Sequence, residues 1–95
     1  MIVRIEIDGG TVSPHEYRVS FESEALYEDA GLDSVLECIV AAVEGLPPEV
    51  VGAEIWYRGV VSGTYPLGVI GMSPDQIAEH AANTTAAIEE ALGAR

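Results

Sequence analysis

The sequence predicts an α+β domain. Its expected form is a two-layer sandwich in ββαββα order, with a mainly antiparallel four-stranded sheet and two helices on one face. Three observations predict it. Apolar and polar residues alternate with period two in stretches near the start and after residue 50. Two other segments carry helix start and stop signals around apolar stripes. At 95 residues and 48% apolar, the chain has room for one core, so residues 1–95 read as a single domain.

The first strand is expected over residues 2–8, with Val3, Ile5 and Ile7 inward and Arg4, Glu6 and Asp8 outward. A turn begins at Gly9-Gly10 and extends through Thr11 to Pro14. A two-residue turn at Gly9-Gly10 would set Val3 beside Glu16 and mix core with solvent, so a longer loop or a bulge is expected. Residues 15–22 alternate again, with Tyr17, Val19 and Phe21 inward. Residues 23–31 are acidic and end at Gly31, and they read as one or two frayed helical turns.

A firm helix starts at Ser34, with Glu37 completing a capping box. Val35, Leu36, Ile39, Val40 and Val43 form its expected buried stripe, and Gly45 with Pro47-Pro48 ends it. Asp33, Glu37 and Glu44 line its outer side. A third strand follows over residues 50–58, with Val51, Ala53, Ile55 and Tyr57 on one face and Glu54, Trp56 and Arg58 on the other. The Gly59-to-Gly63 connection leads to a weaker fourth strand near Thr64 to Ile70, which Pro66 marks as an edge or a late start. Ser73, Pro74 and Gln76 open the last helix, which runs to Leu92 and stops at Gly93. Its inner stripe is expected at Ile77, Ala81, Thr84, Ile88 and Leu92.

No motif for catalysis, metal or cofactor emerges. His80 sits near Asp75, Glu79 and Asn83, where a general base is conceivable, but a partly exposed helical histidine is the plainer reading. His15 lies far along the chain, and two histidines with one cysteine give no zinc spacing. Cys38 reads as a small packed side chain suited to a reducing cytoplasm. Ser62 stands one place late for a nucleophile elbow, and the glycines fit no phosphate cradle. No calcium loop and no apolar stretch of membrane-spanning length occurs. Met1 leads straight into strand-like sequence, so no export signal is expected and a cytoplasmic location is.

The charge is the informative feature. Sixteen acids stand against four arginines and no lysine, for a net charge of −12. Direct nucleic-acid binding and attraction to anionic membranes are excluded on that balance. Nine acids and no base lie between Arg18 and Arg58. The expected partner-binding set is Glu22, Glu24, Glu28, Asp29, Asp33, Glu37 and Glu44, with Trp56 as an aromatic anchor. Such carboxylates imitate spaced phosphates and meet Arg and Lys in the same forked geometry. A solvated face that serves solubility or salt tolerance explains the same charge and stays open beside it. In size, acidity and lack of catalytic residues the chain resembles small phage-encoded inhibitors, among them nucleic-acid mimics and anti-CRISPR proteins. Those proteins share no motif, so no residue is carried over.

The expected function is therefore a non-enzymatic, stoichiometric inhibitor that blocks the basic nucleic-acid-binding surface of a partner protein. The alternative is a structural or regulatory domain that dimerises through the alanine-rich last helix or the fourth strand. A small hydrolase-type enzyme using His80 is the third reading.

Overall fold

A computed structural model describes residues 1–9 and 14–93. In chain order the elements are β1 (Ile2–Gly9), β2 (His15–Phe21), β3 (Glu24–Leu32), α1 (Val35–Glu44), β4 (Gly52–Tyr57), β5 (Val60–Pro66), α2 (Leu67–Met72) and α3 (Pro74–Gly93). The class is α+β, as the alternation predicts. The sheet, however, has five strands in the order β3-β2-β1-β4-β5, and it is mixed. β1 and β4 run parallel, while the other three neighbouring pairs are antiparallel.

The extra strand is the acidic segment expected as frayed helix. Glu22 and Ser23 both take positive φ, 51° and 70°, and make a two-residue turn whose twist suits a hairpin. β3 then pairs along the whole of β2, from Phe21 opposite Glu24 to His15 opposite Leu32. Tyr27 anchors it by donating its hydroxyl to the Ala42 carbonyl on α1. Pairing with an already apolar-backed strand outweighs the local pattern.

The β1–β2 register puts Ile5 beside Val19 and Ile7 beside Tyr17. Gly9 lies opposite His15, a pairing that needs a longer connection than Gly9-Gly10 alone. The expected turn itself falls mostly on residues 10–13, outside the described residues. On β4, Ala53, Ile55 and Tyr57 stand beside Val3, Ile5 and Ile7. These side chains form the core with Cys38, Ile39 and Ala42 of α1 and Ile77, Ala78 and Ala81 of α3. α1 covers β1 to β3 and α3 covers β4 and β5, so among the described residues the opposite sheet face carries no helix.

Several element details differ from expectation, and Val51, expected inward, precedes β4 and is 64% exposed. On α1 the buried residues are Cys38, Ile39 and Ala42, while Leu36 and Val40 are 36% and 39% exposed. The small Cys38 and Ala42 side chains let the helix sit close to the sheet, which rotates the stripe. The fourth expected strand begins earlier, at Val60, after an Arg58-Gly59 turn with φ of 52° and 81°. Residues 67–72 form the short α2 instead of strand, with Pro66 leading into it. On α3 Thr85, not Thr84, is buried, and Ile88 and Leu92 are 42% and 65% exposed. Thr85 Oγ1 donates to the carbonyl of Tyr57, the last residue of β4, at 2.8 Å. A helix of 20 residues spans about 30 Å. A strand of 6 residues covers only about 20 Å. The outer turns of α3 therefore overhang the sheet.

Candidate functional site

The fold divides the expected partner-binding acids between its two sides. Strand pairing decides which. Residues opposite one another on antiparallel strands share a face. Glu24 pairs with the partly buried Phe21 and Asp29 pairs with Tyr17, so both point to the helix side. Glu28 pairs with Arg18 and points to the open face, where an ion pair of 3.4 Å joins them. Glu22, at the turn, lines a hollow of about 410 Å³ on that face with Arg4 and Arg18.

On the helix side, Asp33, Glu37 and Glu44 join Glu24 and Asp29. Ser34 caps α1 and accepts from the Glu37 amide at 3.1 Å. Glu37 reaches back to accept from the Asp33 amide at 2.9 Å, one residue earlier than a standard capping box. Helical geometry sets Glu37 and Glu44 within about 20° of each other on the outer ridge. Val40 lies between them and Leu36 beside them, so carboxylates flank a small apolar patch. None of Glu24, Asp29, Glu37 and Glu44 makes an ion pair among the described residues.

The negative field of this side is felt by buried groups. Burial pushes the Cys38 thiol up to about 11, and Glu37, Asp29 and Glu16 add to it. Burial likewise raises Tyr17, with Asp29 next, then Cys38 and Glu44. The Tyr27 hydroxyl is pushed up to about 12, by burial first and Tyr17 second. A thiol held protonated this way is a poor nucleophile, which agrees with a packing role for Cys38.

Trp56 lies on the other side, on the open sheet face. Its indole N–H donates to Glu54 Oε1 at 2.6 Å. The Arg4 guanidinium sits 4.6 Å above its ring and also bonds Glu54, at 3.1 Å. Trp56 is thus half-buried in a local charge cluster, and the fold does not bring it together with Glu24, Asp29, Asp33, Glu37 and Glu44.

His80 is exposed and lies 3.5 Å from Thr84 Oγ1. The shallow hollow beside it is lined by Tyr65, Val69, Ser73, Gln76 and Ile77, with no carboxylate among its walls. No group of three metal-ligating side chains converges among the described residues. No helix among them is long and apolar enough to cross a membrane.

His15 was left without a role by sequence reasoning. It shares the parity of Tyr17, Val19 and Phe21, and that parity places it inward; it is 6% exposed. Beside it, Ser34, Tyr57 and Arg58 line a cleft of about 470 Å³. Chain separation hid this grouping, because its members come from β2, α1, β4 and α3. Comparison with family models, curated proteins and solved structures finds no match to this chain.

Proposed function

We propose that this protein is a non-enzymatic acidic binding protein that docks on a basic partner through its helix side. Glu24, Asp29, Asp33, Glu37 and Glu44 supply the contact charge. The observation that carries the reading is the segregation of counter-charge. Arg4 and Arg18 pair on the open sheet face, and Arg58 pairs with Glu89 of α3 at 3.1 Å. That leaves Glu24, Asp29, Glu37 and Glu44 without a paired cation among the described residues. Leu36 and Val40 give this side an apolar centre within a charged rim, the usual anatomy of a contact surface. A partner whose own surface binds nucleic acid presents the matching array of Arg and Lys, so occupying it makes the protein a stoichiometric inhibitor.

The test is charge reversal of Glu24, Asp29, Glu37 and Glu44 to Lys, set against reversal of Glu6, Asp8 and Glu16 on the open face. Capture from lysate is run at about 0.1 M and about 0.5 M salt. The reading expects a nucleic-acid-binding protein held at low salt and displaced by added DNA or RNA. It expects the helix-side variant alone to lose that protein. Equal capture by both variants would refute it.

A second reading rests on the overhang of α3. Ile88 and Leu92 are exposed on a helix end with no sheet beneath, which favours self-association there. Light scattering decides it: a mass that rises with concentration and returns to monomer in Leu92→Glu supports dimerisation, and a constant monomer mass removes it.

A further inference from the structure

The cleft beside His15 joins groups of both signs at the start of α1, and Asp33 is the one member it shares with the acidic surface. The first turn of α1 opens into it at Ser34 and Val35. The Glu37 amide bonds Ser34 Oγ and the Cys38 amide bonds the Ser34 carbonyl at 3.1 Å. The amides of Val35 and Leu36 precede any intrahelical acceptor, so they face outward at the positive end of the helix. His15 forms another wall. Its ring stacks on Tyr57 with centroids 6.4 Å apart and planes at 26°. Its Cδ2 edge rests against Gly9, where an added Cβ would come within 2.7 Å. Nδ1 lies on the other side of Cγ from that edge and is not among the atoms nearest Gly9. It is buried and has no hydrogen-bond partner among the described residues. A buried, unanswered ring nitrogen is unusual enough to need an explanation. Arg58 completes the cleft, with φ of 52° at the β4–β5 turn.

We propose that this cleft binds a small oxyanion group, a carboxylate or a phosphate. The α1 amides, the Arg58 guanidinium and the His15 imidazole are all donors suited to such a group. In a chain of net charge −12, this is where a helix N-terminus, an arginine and a buried imidazole meet in one concavity. Two carboxylates, Asp33 and Glu89, also line the cleft, and Glu89 holds Arg58 at 3.1 Å. Both side chains of that pair are well exposed, so the pair is weak and exchangeable. The incoming oxyanion takes the guanidinium from Glu89, and Glu89 is therefore a built-in competitor.

The test is titration of the ¹⁵N-labelled protein with inorganic phosphate and, separately, with acetate, at constant ionic strength. Saturable shifts of the Val35 and Leu36 amides and the His15 ring signals are expected below about 10 mM ligand. Arg58→Gln should weaken binding about tenfold, and Glu89→Gln should tighten it several-fold. Both residues are exposed, so these variants keep the fold. Shifts with phosphate alone identify a phosphate-bearing ligand. Shifts with acetate alone identify a carboxylate, and shifts with both a general oxyanion site. No saturable shift with either, or an unchanged affinity in Arg58→Gln, overturns the proposal.

Discussion

The Tyr27 hydroxyl donates to the Ala42 carbonyl, and this one bond ties the outermost strand to the helix that carries Glu37 and Glu44. Tyr17 meets Tyr27 edge-on, with centroids 6.3 Å apart, and steadies the ring from below. Tyr27→Phe should cost about 1 kcal/mol in urea unfolding. Amide exchange should quicken in β3 before it does in β1. Uniform exchange along the sheet would show that β3 is held by strand pairing alone.

Alkali should destabilise the fold from pH 9 upward. The Cys38 thiol ionises near 11 when folded and near 9.0 when unfolded, so the folded chain holds that proton more tightly. Its contribution is complete below pH 9 and is lost as pH rises through 11, with an upper scale of about 3 kcal/mol. Tyr27 and Tyr17 act in the same direction from pH 10. Unfolding midpoints measured from pH 8 to 11 should fall in the native protein. Cys38→Ala should flatten the part between 9 and 11, and an unchanged slope would exclude the thiol as its source.

Thr84 and Thr85 are adjacent on α3 and should answer differently to the same change. Thr85 is 1% exposed and donates to the Tyr57 carbonyl, so Thr85→Val removes a buried bond. A loss of about 1–2 kcal/mol is expected. Thr84→Val should change stability by less than about 0.5 kcal/mol. Thermal melts of the two variants check the contrast.

The turn at Glu22-Ser23 holds two non-glycine residues at positive φ. Ser23→Gly should relieve strain there and raise stability by about 1 kcal/mol. Denaturant midpoints test this, and an unchanged midpoint would mean that the Ser23 side chain contributes as much as its backbone costs.

Legibility followed the strength of the local signal. The alternation of Val3, Ile5 and Ile7 and of Ala53, Ile55 and Tyr57 marked β1 and β4 correctly, because each strand buries one face only. Ser34 was readable as a cap because a hydroxyl before an apolar run has few other uses. β3 was not readable. Register shifts against β2, between His15 and Glu16 and between Val19 and Ser20, break its period of two, and its acids read as a helix start. The parallel pairing of β1 with β4 leaves no mark in either strand alone. The acids of the candidate surface were visible as a composition, but their division between two faces depends on strand parity in a strand that was missed. The grouping of His15, Ser34 and Arg58 is made only by the tertiary fold.

The parallel β1–β4 pair has a kinetic meaning. Val3 pairs with Ala53, about fifty residues away, so the middle of the sheet closes by one of the longest loops in the chain. During synthesis the β1–β3 meander emerges first, with one edge of β1 bare until β4 follows. An uncovered apolar strand is what a second nascent chain would join. Glu6, Asp8 and Glu16 sit on that half-made sheet and give every copy the same sign of charge. Like-charged meanders repel one another for as long as the sheet is incomplete, which disfavours pairing between copies at the bare edge.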